Sequence, residues 1–161
     1  MQKYVITLSR NFTLKHPRHG EHTGFCEKTL NAVCYANGAK WLFPAFGPKL
    51  HTIRGNYELW VKRFAKIEPG QAILSLRYWS GVPYNSKQIE LLQLSNMDGI
   101  GLQMLEFRNG NIYEPCVNGR QINLDLIAYN DGLRKEDWLK WFEKEDLSEK
   151  FAIIHFTYFR Y

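Results

Sequence analysis

Four side chains that could take part in a reaction or bind a ligand lie within the eight residues GPKLHTIR, from Gly47 to Arg54. They are Lys49, His51, Thr52 and Arg54. A lysine such as Lys49, when partly desolvated or placed beside an arginine, loses its proton more easily and can act as a base. The hydroxyl of Thr52 could then serve as a nucleophile. Lys49, Thr52 and Arg54 could equally donate hydrogen bonds to a phosphate or a base edge without any reaction. A solvated polar turn is the third interpretation, because lysine and arginine are usually exposed.

A second group of candidates follows in LRYWSGVPYNSKQ, which mixes aromatic and basic side chains. Arg77, Tyr78 and Trp79 stand at the end of a predicted strand, and Tyr84 and Lys87 follow the turn. Aromatic rings beside cations are typical of surfaces that bind unpaired bases. The alternative is that one face of this hairpin belongs to the core.

Three histidines in HPRHGEH, His16, His19 and His22, have a spacing that could supply zinc ligands. Pro17 and Gly20 disfavour a helix there, so we expect a solvated loop and no metal site. The chain also lacks the GxxxxGK[ST], GxSxG, HExxH and EF-hand patterns, which excludes those familiar enzyme classes. We expect no cofactor.

The elements that position these residues follow from the periodicity of apolar side chains. Strands are predicted at residues 4–8, 71–79, 87–94, 101–107, 110–113 and 151–161. Helices are predicted at residues 23–33, 57–67, 124–130 and 134–144, with Asn123 capping the third and Gly132 ending it. This order indicates an α+β fold, a small, mostly antiparallel β-barrel with helices packed around it.

Length and composition favour one globular domain over residues 1–161, with 45% hydrophobic residues and a formal charge of +5. Such an excess attracts polyanions where it is clustered. Three cysteines without a CxxC pair indicate reduced thiols and a cytoplasmic protein. The opening MQKYVITLSR lacks the apolar run of a signal peptide, and no apolar stretch approaches the roughly 18 residues of a membrane span. We therefore expect no membrane partner.

The pattern G-x-K-x-x-T-x-R, carried by Gly47, Lys49, Thr52 and Arg54, resembles the signature of the ASCH domain, a branch of the PUA-like fold. Members of that family place a helix before the motif, a turn and a barrel strand after it, and an acidic-Gly-hydrophobic step between later helices. The matching segments here are residues 23–33, Pro69-Gly70 before residues 71–79, and Asp131-Gly132-Leu133. The chain as a whole also resembles an ASCH-like group found in gut Bacteroidales and their phages.

The resemblance implies a cleft lined by the motif and suited to RNA or to a modified nucleoside. Our leading hypothesis is a nucleic-acid-binding module, with RNA as the ligand. Lys49, Arg54 and Arg77 would then position phosphates or base edges. Thr52 and Asp131 would hydrogen-bond the ligand, and either Tyr78 or Trp79 would stack on a base.

The alternative implied by the resemblance is an amidohydrolase that removes an N-acyl group from a modified pyrimidine nucleoside such as N4-acetylcytidine. The lysine, threonine and glutamate of such family members correspond to Lys49, Thr52 and Asp131. The aspartate is shorter than glutamate by one methylene, which matters because catalytic groups must be placed within about 1 Å. A third hypothesis is a phage protein that binds a host protein through its aromatic surface, with the partner unknown.

Overall fold

The computed structural model describes residues 1–161 and contains four α-helices and eight β-strands. The helices are α1 (Phe25–Ala36), α2 (Tyr57–Ile67), α3 (Leu124–Asn130) and α4 (Lys135–Phe142). The strands are β1 (Gln2–Thr7), β2 (His51–Arg54), β3 (Ala72–Trp79), β4 (Gln88–Leu94), β5 (Gly101–Phe107), β6 (Pro115–Val117), β7 (Arg120–Gln121) and β8 (Phe151–His155).

The strands form two sheets. The first has the order β1-β3-β4, with β1 parallel to β3 and β4 antiparallel to it. The second has the order β2-β8-β5-β6-β7 and is antiparallel throughout. The predicted α+β class is therefore confirmed, whereas closure of the strands into one barrel stays a prediction.

Helix α2 contacts both sheets, through β3 on one side and β5 and β8 on the other. Its buried residues, Trp60, Phe64 and Ile67, recur at steps of three and four and so form one apolar face. The side chain of Asn56 accepts a hydrogen bond from Leu59 N at 3.1 Å and begins the helix. The core of 25 buried hydrophobic residues is thus continuous across the two sheets.

The segment from Asn123 to Gly132 folds as its capping residues predict. Asn123 Oδ1 accepts from Leu126 N at 3.1 Å, which satisfies a free donor of the first turn of α3. Gly132, with φ of +84°, takes the left-handed conformation after the helix and turns the chain towards α4. Asp131 is consequently fixed at the junction of the two helices.

The predicted strand at residues 110–113 is wrong, because the chain turns there. Asn109 and Gly110 both have positive φ, 53° and 67°. Asn111 then accepts from the backbone N–H of Tyr113 at 3.0 Å. The partner strand of β5 begins only at Pro115, which pairs with Phe107.

The last predicted strand, residues 151–161, is shorter than expected and ends at His155. Phe156 N donates to Leu50 O at 2.9 Å, outside the ladder with β5. Arg160 Nη1 then donates to Thr157 O at 2.7 Å and closes a turn. The remaining predicted helices and strands are confirmed to within three residues at each end. None of the helices has the length and apolar character needed to cross a bilayer.

Candidate functional site

The motif segment is held by backbone hydrogen bonds to three separate parts of the chain. Lys49 N donates to Lys28 O of α1 at 2.9 Å. Leu50 N donates to Asn130 O at the end of α3 at 2.8 Å, and Leu50 O accepts from Phe156. These bonds fix the backbone of Lys49 before β2 begins.

The interpretation of GPKLHTIR as a solvated polar turn is wrong. Residues 51–54 form β2, which pairs with β8 and places His51 opposite His155. The residue exposures of Lys49, His51 and Thr52 are 1%, 0% and 3%. Pairing with a buried strand and cover from α1 and α3 override the usual preference of these polar side chains for water.

Lys49 and Asp131 form a buried ion pair, with Lys49 Nζ 2.7 Å from Asp131 Oδ1. The same ammonium also donates to the backbone carbonyl of Asp131. Its third side faces Phe25, whose ring centroid lies 4.2 Å from Nζ. All three directions of the ammonium are therefore occupied, so the buried charge is compensated.

Burial moves the pKa of both members of this pair. It lowers the pKa of Lys49, and the neighbouring carboxylate of Asp131 opposes that shift. It raises the pKa of Asp131, against the attraction of the Lys49 ammonium. A lysine in this setting gives up its proton more readily than one in water.

Gly132 brings the Lys49 stem against the α3–α4 junction. A Cβ at Gly132 would lie 3.2 Å from Lys49 Cβ, so only glycine allows this close approach. Lys28 Nζ donates to Gly132 O at 2.7 Å and to Thr23 O at 3.1 Å. The motif and the Asp131-Gly132 step thus form one unit, braced by α1.

Thr52 faces Arg54 rather than the ion pair. Thr52 Oγ1 accepts from Arg54 Nη1 at 3.0 Å, and Arg54 Nη2 donates to Thr7 O at 2.7 Å. Burial lowers the pKa of Arg54 and the charge of Asp131 opposes that shift, so the guanidinium interacts electrostatically with the carboxylate. The structure therefore joins Lys49 to Asp131 and Thr52 to Arg54, with no hydrogen bond between the two pairs.

A polar network that the sequence did not indicate adjoins the ion pair. Asn130 Nδ2 donates to Tyr161 Oη at 3.1 Å, and the same oxygen is hydrogen-bonded to His51 Nε2 at 2.6 Å. Burial holds the pKa of His51 well below its usual value, so the ring is neutral, and its Nδ1 has no hydrogen-bond partner. That nitrogen is 3.8 Å from Asp131 Oδ1.

The network continues to a second buried histidine. His155 Nε2 bonds Gln103 Oε1 at 2.9 Å, and the same oxygen accepts from Tyr161 N at 3.0 Å. Burial lowers the pKa of His155 to about 3. One signal could have found His51: it lies two residues after Lys49 and so shares its side of an extended chain. No spacing of this kind relates Tyr161 to Lys49 in the sequence.

An open cleft of about 600 Å³ lies beside the ion pair. Three cations, one carboxylate and one exposed aromatic ring dominate its lining. Its residues are Lys28, Gly47, Pro48, Asp125, Leu126, Tyr129, Gly132, Leu133, Arg134 and Lys135. The sequence neighbours of Lys49 and Asp131 therefore line the cleft, while those two side chains lie behind its wall.

The candidates Arg77, Tyr78 and Trp79 lie on the three-stranded sheet, apart from the cleft. Arg77 Nε donates to Ser75 Oγ at 2.9 Å, and its Nη2 lies 3.7 Å from Glu90 Oε2. The backbone of Arg77 is in register with Thr7, the residue that Arg54 bonds. Arg54 of the motif therefore bonds the strand, β1, that pairs with the strand carrying Arg77, Tyr78 and Trp79.

The three histidines of HPRHGEH do not converge. His16 is buried, with Nε2 3.1 Å from Asp137 O, whereas His19 and His22 are exposed. No group of three His, Cys, Asp or Glu side chains in the structure could hold a metal ion. Comparison of the chain with protein-family models, with curated proteins and with solved structures found no match.

Proposed function

We propose that this chain is an RNA-binding module of the PUA-like, ASCH type, whose cleft holds an unpaired nucleotide. The cleft itself carries the proposal, because an exposed aromatic ring stands there among three cations. Tyr129 is 54% exposed, far more than a core tyrosine. An exposed ring beside cations is the usual surface for stacking a base and binding its phosphate.

The charges of the cleft favour an anionic ligand. Arg134 and Lys135 have side chains 69% and 41% exposed, and Lys28 is the third cation of the lining. Asp125 lies 3.4 Å from Lys135 and Asp137 lies 3.2 Å from Arg134 Nε, so two of these three cations are offset. The net positive charge is suited to one or two phosphates.

The motif residues support the cleft from behind in this proposal. Lys49 and Asp131 hold the Gly47-Pro48 rim against Gly132 through the ion pair and the contact with the Lys49 stem. Thr52 and Arg54 tie β2 to the end of β1. Their contribution to binding is to fix the rim, so ligand contact falls to the lining residues.

Closure of the strands into a PUA-like barrel is part of the same proposal. Strands β1 and β2 are edge strands of the two different sheets. The bond from Arg54 Nη2 to Thr7 O joins these edges at 2.7 Å, and α2 contacts both sheets. A continuous core and a side-chain bridge between edges support one closed β-structure.

The direct test is binding of a fluorescently labelled oligouridine, about 8 nucleotides long, followed by anisotropy. Loss of a stacked base costs about 1–3 kcal/mol, so Tyr129→Ala should weaken binding roughly 5- to 100-fold. Tyr113→Ala is the matched control, because Tyr113 is 64% exposed and lies outside the cleft lining. Equal affinity of wild type and Tyr129→Ala would refute the cleft as the binding site.

The contact between Lys49 and Asp131 favours hydrolysis of an N-acyl nucleoside as a second candidate function. Asp131 reaches Lys49 at 2.7 Å despite its short side chain. This reaction requires Thr52 to turn from Arg54 and a deprotonated Lys49 to turn from Asp131. Thr52 Oγ1 would then attack the acyl carbon, Lys49 would accept its proton and return it to the departing nucleoside amine, and water would cleave the acyl ester. Ligand access would require these buried side chains to open towards the cleft.

The test of hydrolysis is incubation with N4-acetylcytidine at pH values from about 6 to 9, where a desolvated lysine works as a base. Release of acetate and cytidine that disappears in Lys49→Met supports the reaction. No release at any of these pH values removes this candidate and leaves the RNA-binding proposal untouched.

A further inference from the structure

The β3–β4 hairpin ends in a pair of aromatic rings, the half-buried Trp79 and the exposed Tyr84, which we call the tip platform. Their ring centroids are 5.2 Å apart and the planes are tilted by 49°. Tyr84 is 87% exposed, so the pair presents its surface to solvent. An exposed ring of this kind is free to contact a ligand.

The backbone of Tyr84 is unusual, with φ of +65°. A bulky residue rarely adopts this left-handed conformation, where glycine or asparagine is favoured. The strain places an aromatic ring beside Trp79 without burying it. Strained backbone at an exposed aromatic residue is a feature of ligand-contacting turns.

Tyr78 does not belong to the platform, although the sequence made it a stacking candidate. It points to the opposite face of β3 from Trp79. The guanidinium of Arg10 covers its ring, with Arg10 Cζ 5.4 Å from the ring centroid. Tyr84, the third aromatic candidate of this hairpin, is therefore the ring that lies beside Trp79.

A line of hydrogen bonds leads from the tip platform to the cleft. Arg10 Nη1 donates to Ser80 O, next to Trp79, at 3.4 Å. Thr23 Oγ1 donates to Arg10 O at 3.1 Å, and Lys28 Nζ donates to Thr23 O at 3.1 Å. These bonds thus connect Ser80, beside Trp79, through Arg10 on the Tyr78 face of β3 to Lys28, which lines the cleft.

We propose that the tip platform is a second base-stacking subsite, which binds the same strand whose other nucleotide occupies the cleft. This inference rests on the proposed RNA-binding function. The strand would pass around the end of β3 at Ser80, where Arg10 bonds, and continue to Lys28, and the charges of Arg10 and Lys28 would attract its phosphates. The ligand class is therefore an extended single strand of several nucleotides, and a free nucleoside fills only one of the two subsites.

The test compares Tyr84→Ala with the wild type on uridine monophosphate and on the oligouridine of about 8 nucleotides. Affinity for the oligonucleotide should fall roughly 5- to 100-fold, the loss of one stacked base, while affinity for the mononucleotide stays the same. Tyr113→Ala, the same substitution at an exposed position of the β5–β6 connection, should change neither affinity. Tyr84 is exposed, so the variant keeps the core intact.

A second variant tests the path between the subsites. Arg10→Gln should lower the slope of log affinity against log salt by about 0.7, the contribution of one phosphate contact on a single strand. Unchanged oligonucleotide binding in Tyr84→Ala, with loss in Tyr129→Ala, would overturn the second subsite and leave the cleft proposal standing. Absence of oligonucleotide binding by the wild type would overturn both.

Discussion

Lys49 Nζ lies 2.7 Å from Asp131 Oδ1, and the two residues are 82 positions apart in the sequence. Both side chains are buried. The lysine of the GxKxxTxR motif and the carboxylate of the Asp-Gly step therefore belong to one structural unit. Since this unit stands directly behind the cleft, its stability affects the geometry of the cleft.

Removing the lysine of this pair should destabilise the fold strongly. Lys49→Met leaves the Asp131 carboxylate buried without its partner, so we expect a loss of about 3–5 kcal/mol in the free energy of unfolding. Urea denaturation monitored by circular dichroism measures it. Lys150→Met, at an exposed lysine, should stay within about 0.5 kcal/mol of the wild type.

A double variant separates charge pairing from packing. Lys49→Met with Asp131→Leu removes both charges together, so its destabilisation should be smaller than the sum of the two single losses, by roughly 0.5–3 kcal/mol. Additive losses would show that the two side chains do not interact in the folded protein.

Gly132→Ala should destabilise the protein more than a comparable change elsewhere. Gly132 and Gly119 have similar positive φ, +84° and +81°, so alanine at either costs about 1–2 kcal/mol of left-handed strain. At Gly132 the new Cβ also meets Lys49 Cβ at 3.2 Å, whereas nothing lies within 4 Å at Gly119. Thermal unfolding of the two variants compares them, and equal losses would mean that the contact with Lys49 is unimportant.

Stability should fall as the pH drops from about 6.5 towards 3. In the unfolded chain histidine binds a proton near pH 6.5, whereas burial lowers the pKa of folded His155 to about 3 and that of His51 well below its usual value. The unfolded state then binds more protons, so each histidine lowers the free energy of unfolding by about 1.4 kcal/mol per pH unit.

The variant His155→Gln isolates this effect, because glutamine keeps a donor for Gln103 and does not titrate. Its stability should depend less steeply on pH than that of the wild type. The raised pKa of Asp131 acts in the opposite direction, but it contributes equally to both proteins. Identical pH profiles would contradict a neutral, buried His155.

Thr52→Val distinguishes the two candidate functions. Thr52 does not line the cleft, and Arg54 keeps its bonds to Ile53 O and Thr7 O without the Thr52 hydroxyl. Oligonucleotide affinity should therefore stay within roughly twofold of the wild type, about 0.4 kcal/mol. Any release of acetate from N4-acetylcytidine should disappear, because the proposed nucleophile is gone. Release that persists in this variant would exclude Thr52 as the nucleophile.

Local sequence patterns predicted most helices and strands. The prediction is strongest where apolar residues recur at a regular spacing and a capping residue marks the end of the element. Helix α3 matches its prediction at both ends, through Asn123 and the left-handed Gly132. The segment 110–113 failed because two residues with positive φ, Asn109 and Gly110, lengthen the turn. Asn and Gly favour positive φ themselves, but their residue types do not determine how many residues the turn contains.

The candidate site, like the fold, could be predicted from the sequence only in part. The residue types of Lys49 and Asp131 indicated chemistry, but their contact depends on tertiary packing of α1, α3 and β2. The burial of His51 follows from pairing with β8, which no local pattern reveals. Tyr129 and Lys135 become candidate ligand-binding residues only in the structure, where the α3–α4 junction places both around one cleft.

The most direct test of the cleft as an RNA site is the salt dependence of oligouridine affinity for wild type and for the double variant Arg134→Ala, Lys135→Ala. Each phosphate contact contributes about 0.7 to the slope of log affinity against log salt on a single strand. We expect a slope smaller by about 1.4 in the double variant, together with weaker binding at low salt. Equal slopes and equal affinities would contradict RNA binding in the cleft.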